Sequence, residues 1–202
     1  MKALKIIFLF CSIALLASCG NRGSKGESTF TETGVKEENS YAKFFEITNY
    51  SNCKVISVIN PWDTTRTLQE YVLVDKNIPL PDDLPKGTVI RTPVESVIMY
   101  STIHASIWEK LGALESVVGI CEPEYLTSER AKRMMAEGKI HNCGMASSPN
   151  VEKIMDIGGR FIVASPFENG GYGQAEKLGI AIFEPADYME NHPLGRVEWM
   201  RV

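Results

Sequence analysis

Polar and aromatic residues follow each of five apolar runs in the second half of this 202-residue chain. The five segments contain Tyr, His, Glu, Asn, Ser and Gly, and they are 100–104, 121–125, 144–148, 166–172 and 184–188. Aromatic faces combined with a few polar groups are typical of a concave site for a sizeable ligand. These residue types therefore indicate recognition of a bulky molecule.

An enzyme is a competing interpretation. The sequence lacks the common catalytic and nucleotide-binding motifs, namely G-x-S-x-G, H-E-x-x-H, a Walker loop and G-x-G-x-x-G after the first strand. Gly170–Gly173 follows a predicted strand and precedes a predicted helix, so it is either a phosphate loop or a plain flexible loop. His104 is either a ligand or simply a residue in the first turn of a helix. A metal bound by His104 would need further ligands, and the candidate carboxylates are Glu122, Glu124, Glu184 and Asp187. A secreted α/β enzyme with a metal or phosphate site around His104 and Gly170–Gly173 thus remains an alternative.

The segments that position these residues alternate between short β-rich runs and helix-length segments that end in glycine. Glycine just past a helix is the usual left-handed terminator, and the four examples are Gly112, Gly138, Gly158 and Gly179. The strand runs are apolar without alternation, which predicts strands that are covered on both faces. Alternating β and α segments predict a Rossmann-like parallel sheet with flanking helices over residues 93–190. In such a sheet the carboxyl ends of the strands share one edge, where ligands bind.

The chain before this α/β region has three predicted parts. Residues 1–18 carry Lys2 and Lys5 beside an apolar run that is too short for a membrane span, and so they predict an export signal. Residues 19–50 include a polar stretch rich in Gly, Ser and Glu, which predicts a flexible tether. Residues 51–92 predict a small antiparallel β flap.

Composition and charge narrow the class of partner. The chain is 44% hydrophobic and 23% charged, which is ordinary for one globular domain. Its formal net charge is −4 and no Lys/Arg cluster is present, so we expect no nucleic-acid partner.

The end of the sequence predicts the start of a helix over residues 191–202. Pro193 suits a first helical position, with Asn191 or His192 as the cap. An apolar face follows, and its residues are Leu194, Val197 and Met200.

Two family resemblances rest on quoted motifs. Leu-Ala-Ser-Cys-Gly at residues 16–20 resembles a bacterial lipobox, which implies cleavage before Cys19, acylation of that residue and a lipid anchor at the periplasmic face of a bacterial membrane. The runs SVIMYSTIHASIWEKLGALESVVGI and IHNCGMASSPNVEKIMDIGGRFIVASP resemble the N-terminal lobe of periplasmic substrate-binding proteins. That class serves ABC importers of iron–siderophores, haem and cobalamin.

The second resemblance extends from Pro93 to Val202, and PLGRVEWM resembles the start of the helix that joins the two lobes. It implies a binding protein with no catalysis and no resident cofactor, whose partners are a metal chelate, an ABC permease and its ATPase. It also implies that the second lobe is missing, so the chain is either half of a binding site or a non-functional remnant.

The resemblance also implies roles for single residues. The implied ligand contacts are Tyr100, Ser101, Thr102, His104, Glu122, Tyr125, Met145, Ser147, Phe167, Asn169 and Tyr172. If the ligand is haem, His104 or a nearby tyrosine is a candidate axial ligand. Glu152 corresponds to the glutamate that meets arginines on the permease, with Ser148 as the predicted helix cap and Pro149 as the first helical residue.

The cysteines leave one question open. Removal of the signal and acylation of Cys19 leave Cys53, Cys121 and Cys143, so at most one disulfide forms. A bridge between Cys121 and Cys143 is one possibility.

Overall fold

The structure is a computed structural model that describes residues 30–202. The predicted signal peptide and the acylation site Cys19 lie outside the described residues. Within the described part, no helix is both long enough and apolar enough to cross a membrane.

The N-terminal part of the described chain is a five-stranded sheet in the order β1-β2-β3-β4-β5. Its strands are β1 Val35–Lys36, β2 Phe45–Asn49, β3 Lys54–Ile59, β4 Thr67–Asp75 and β5 Thr88–Thr92. The first four are antiparallel neighbours, whereas β5 pairs with β4 in parallel. The predicted antiparallel flap is therefore wrong for its last strand, and the sheet begins earlier than residue 51.

The predicted tether of residues 19–50 is wrong over its last part. Strand β2 lies inside that range, and its Phe45 and Ile47 are almost completely buried. Phe45 and Ile47 alternate with Glu46 and Thr48, the period that covers one face of a strand. This segment belongs to the folded body.

The second half of the chain forms a five-stranded parallel sheet, which confirms the predicted α/β class. Its strands are β6 Val97–Met99, β7 Val117–Ile120, β8 His141–Asn142, β11 Phe161–Val163 and β12 Ala181–Phe183. Their order is β12-β11-β6-β7-β8, and every neighbouring pair is parallel. A short hairpin of β9 Gly144–Met145 and β10 Ser148–Pro149 follows β8.

Short helices connect the strands. The α-helices are α1 Thr102–Lys110, α2 Glu129–Ala136, α3 Val151–Asp156 and α4 Pro193–Glu198. The 3-10 helices are Leu114–Ser116, Pro123–Tyr125, Gly173–Leu178, Asp187–Met189 and Trp199–Arg201. The glycine terminators are confirmed, because Gly112 and Gly179, for example, have φ of 73° and 67°.

The parallel sheet is buried on both faces, as its uninterrupted apolar strands predict. Val97 and Met99 share a core with Phe45 of the N-terminal sheet, whereas Ile98 packs on the other face with Ile154 of α3. The N-terminal sheet is thus one of the layers that cover the parallel sheet, rather than a separate flap.

Helix α4 begins at Pro193 as predicted, and the ring Nδ1 of His192 accepts a hydrogen bond from the backbone N–H of Leu194 at 3.1 Å. The predicted apolar face does not pack on the body, since Leu194 and Val197 are 48% and 54% exposed. Trp199 is the residue that is buried there, where its ring meets Phe45 edge to face.

Candidate ligand-binding edge

The loops that leave the parallel strands all lie at one edge of the sheet. We call this region the carboxyl edge and define it as residues 100–102, 121–128, 143–150, 164–172 and 184–192. The strand order changes direction between β6 and β11, so the loops that follow these two strands diverge from a topological switch point. Ligands of open α/β sheets bind at such a point, and all the predicted ligand contacts except His104 belong to this edge.

Tyr100 and Tyr172 meet at the switch point. Their ring centroids are 6.1 Å apart and the rings are inclined at 73°, an edge-to-face contact. Tyr100 is only 4% exposed, and its hydroxyl has no hydrogen-bond partner among the described residues. Burial raises the pKa of both phenols, which keeps them neutral. Tyr100 supports the loops from below, and Tyr172 is the more accessible of the two.

A groove of about 590 Å³ opens at the β11–β12 side of the carboxyl edge. Phe167, Asn169 and Tyr172 line it, and all three are predicted ligand contacts. Trp62 and Arg66, from the loop that joins β3 to β4, line it as well. The volume lies within the range of about 300–1,000 Å³ that small-molecule sites occupy.

Glu184 also lines this groove and is partly buried. The hydroxyl of Tyr172 is 3.0 Å from both Glu184 Oε1 and the backbone oxygen of Ser165, so its one proton can serve only one of them. The backbone N–H of Glu184 donates to the hydroxyl of Tyr71 at 3.0 Å. Burial raises the pKa of Glu184, and the hydrogen bond from Tyr172 opposes that rise. The groove therefore contains a positioned acid, for which the sequence suggested only a role as a metal ligand.

Other predicted contacts present exposed apolar surface. Tyr125, Met145 and Phe167 are 68%, 59% and 67% exposed. Each belongs to a different loop of the carboxyl edge, so apolar surface is spread along this edge.

The other four predicted contacts either take part in local backbone structure or are simply exposed. The hydroxyl of Ser101 caps α1 by accepting from the N–H of Ile103 at 3.3 Å, and Thr102 is the first residue of that helix. Glu122 has a left-handed φ of 52°, and its N–H donates to the oxygen of Gly144. Ser147 is exposed between β9 and β10.

His104 does not line the groove, contrary to the prediction. It is 4% exposed, and its Nε2 is 3.3 Å from Asp187 Oδ1, which is also buried. The imidazole borders a second, mainly apolar cavity of about 490 Å³ beside Trp108 and Trp199. The helical turn that follows the Ser101 cap directs His104 inward, so it is not placed to be an axial ligand in the groove.

The enzyme alternative named two sites, a metal at His104 and a phosphate at Gly170–Gly173. No group of three or more His, Cys, Asp or Glu residues is arranged to hold a metal there. In the loop Gly170–Gly173 the backbone N–H of Tyr172 donates to the carboxylate of Glu176 at 2.7 Å. A negative group of the chain itself thus accepts from this loop, and the helix that follows is a 3-10 helix. These features do not favour a phosphate site.

The three described cysteines are free thiols, so the possible Cys121–Cys143 bridge is not formed. Both thiols are buried, and burial raises the pKa of Cys121 to about 12 and that of Cys143 to about 11. They act as small apolar groups beneath the loops.

Glu152 lies in the first turn of α3 and is exposed. The predicted cap is wrong, because Ser148 and Pro149 form β10 and the side chain of Asn150 caps the helix. The Asn150 Oδ1 accepts from the N–H of Lys153 at 2.9 Å. Glu152 nevertheless points to solvent, as the prediction requires.

Comparison with known proteins gives one informative similarity. The chain is 26% identical, over 235 aligned positions, to an uncharacterized lipoprotein of Methanocaldococcus jannaschii. This chain is therefore similar to a lipoprotein. The alignment includes all of this chain and 56% of the relative, so the chain spans little more than half the relative's length. No family model and no solved structure matches the chain.

Proposed function

We propose that this chain is an extracytoplasmic substrate-binding lipoprotein that delivers a metal chelate to an ABC importer. The chelate is a ferric siderophore, haem or cobalamin. The observation that carries the proposal is the carboxyl edge, where Tyr125, Met145 and Phe167 are exposed and Phe167 also lines a groove on the β11–β12 side of the parallel sheet. The chain acts by binding and carries out no catalysis.

The chemistry of the edge suits such a ligand. Porphyrin, corrin and catecholate rings have large flat faces, and a stacked aromatic pair adds about 0.5–1.5 kcal/mol beyond the burial of area. Phe167, Tyr172 and Trp62 all line the groove. Methionine adapts its shape to irregular ligands, which suits Met145 at the same edge.

The lipid anchor is the second part of the proposal. The motif that ends in Cys19 supports it, and so does the similarity to a lipoprotein. Acylation of Cys19 would hold the binding edge near a membrane surface.

Docking to the permease is the third part. Glu152 is exposed in the first turn of α3, directly after the hairpin of the carboxyl edge. A carboxylate in this position is free to meet an arginine of a partner, which binds carboxylates with two parallel hydrogen bonds. Glu152→Arg should leave ligand affinity unchanged and abolish uptake in a cell that depends on this protein.

Ligand binding can be tested with a matched pair of methionines. Met145 at the carboxyl edge is 59% exposed and Met155 on α3 is 58% exposed, so their alanine variants remove the same side chain at the same exposure. Haemin, ferric siderophores and cobalamin are titrated separately while tryptophan fluorescence is recorded, since Trp62 lines the groove. Met145→Ala should weaken the binding of the chelate that quenches, whereas Met155→Ala should not. Absence of quenching by every chelate would refute the proposal.

A further inference from the structure

The five loops of the carboxyl edge contain no lysine or arginine, and all of them lie within the described chain. They contain six acidic residues, which are Glu122, Glu124, Glu168, Glu184, Asp187 and Glu190. The chain as a whole has 21 basic and 25 acidic residues, so the excess of acidic over basic residues is far more marked at the edge than in the chain.

Two of the six carboxylates are buried and bound within the fold. Asp187 is next to His104, and Glu190 accepts hydrogen bonds from the backbone N–H groups of Lys43 and Phe44. Glu190 also accepts from Trp199 Nε1. These two acids hold the fold together, and neither is offered to a ligand.

Of the remaining acids, Glu168 and Glu184 line the groove. Glu168 is exposed, whereas Glu184 is partly buried. Asp63 and Glu176 add two more carboxylates to the lining, and Arg66 is the one cation among the lining residues that the structure describes. The groove itself is therefore acidic, with aromatic faces among the carboxylates.

We infer that the chelate bound at this edge is cationic. This inference rests on the proposed function and specifies its substrate class. A positive ligand is attracted by the carboxylates and also by the faces of Trp62, Phe167 and Tyr172, because aromatic rings present a negative face. A polyanionic catecholate complex, or the propionates of haem, would meet like charge there and be repelled.

The test compares chelates of different charge on the full chain. The probes are a ferric trihydroxamate that carries a free ammonium group, ferric tris-catecholate, haemin and neutral cyanocobalamin. Affinity is measured by quenching of tryptophan fluorescence at low and at high NaCl. The cationic hydroxamate should bind at least about tenfold more tightly than the catecholate at low salt. This difference should shrink as salt screens the charges.

A charge reversal with a matched control sharpens the test. Glu168→Lys should lower the affinity for the cationic probe by about tenfold and raise the affinity for the catecholate. Glu137→Lys makes the same change at the exposed end of α2, outside the carboxyl edge, and should leave both affinities unchanged.

The outcomes separate the two proposals. Equal or tighter binding of the catecholate at low salt would overturn the charge inference and leave the transport proposal in place. The charge inference would also fail if Glu168→Lys and Glu137→Lys behaved alike. If none of the probes binds, the transport proposal itself fails.

Discussion

The carboxylate of Glu198 accepts a hydrogen bond from the backbone N–H of Ala42 at 2.7 Å, across 156 positions of sequence. It also accepts from the N–H groups of Ser40 and Tyr41, both at 2.8 Å. One side chain of α4 thus satisfies three consecutive donors in the segment that leads into β2. The two ends of the described chain are joined by this carboxylate, next to the buried ring of Trp199.

Replacement of Glu198 by glutamine should make stability less dependent on pH. Burial alone would raise the pKa of Glu198, but the three N–H groups and Arg201 lower it to about 2. A lowered carboxylate pKa stabilises the folded state above the unfolded value of 4.5, and this contribution is lost as pH falls towards 2. Hydrogen bonds to a charged group contribute about 1.5–3 kcal/mol, so Glu198→Gln should lose about 2 kcal/mol at pH 7.

Urea denaturation at neutral and acidic pH would measure this loss. The wild-type chain and Glu198→Gln should converge in stability as pH approaches the folded-state pKa. A constant difference across that range would show that the effect of the substitution is steric.

Glu184 should show the opposite dependence on pH. Burial raises its pKa, so the folded chain binds the proton more tightly than the unfolded chain and stability falls as pH rises through this range. Glu184→Gln keeps an acceptor for Tyr172 without the buried charge. We expect it to be at least as stable as the wild-type chain at pH 7, with the difference vanishing below about pH 4. Thermal melts across this pH range would measure the difference, with Glu137→Gln as the surface control. A Glu184→Gln variant that is less stable than the wild-type chain at pH 7 would contradict this prediction.

The parallel sheet was predictable because its information is local. Short apolar strands and glycine terminators recur along the sequence, and parallel strands necessarily place their trailing loops at one edge. Strand β2 carried a local signal as well, in the alternation of Phe45 and Ile47 with polar residues. The polar composition of the segment before it concealed that signal.

The groove and the environment of His104 could not be predicted from local patterns. Trp62 and Arg66 reach the groove from a loop of the other sheet, and their position depends on how the two sheets pack. His104 and Asp187 are 83 positions apart, and only the packing of α1 against the loop after β12 brings them together. Long-range pairings of this kind leave no periodic mark in the sequence.

Removal of Asp187 should destabilise the chain through His104. The imidazole is buried, and its Nδ1 already lacks a hydrogen-bond partner among the described residues. Asp187→Ala would leave the whole ring without a partner, which costs about 1–3 kcal/mol. The double variant His104→Leu/Asp187→Ala should recover at least half of this loss, because an apolar side chain suits the cavity beside Trp108.

A double-mutant cycle in urea would measure the coupling between these two residues. Glu137→Ala, which breaks the exposed pair with Lys139, should change stability by less than about 1 kcal/mol. Simple additivity of the His104 and Asp187 changes would contradict the prediction.

Gly119 should not tolerate a side chain, because β7 passes through the closely packed layer beneath the carboxyl edge. A Cβ at this position would lie 2.5 Å from Cys143 Sγ and 2.8 Å from Ile98 Cδ1, and both of those residues are fully buried. Overpacking of this kind costs about 1–3 kcal/mol. Cys143→Ala removes the nearest atom, so the double variant Gly119→Ala/Cys143→Ala should lose less than the sum of its single changes. Urea midpoints of the four proteins would test this, and losses that simply add would show that Cys143 does not limit the space at Gly119.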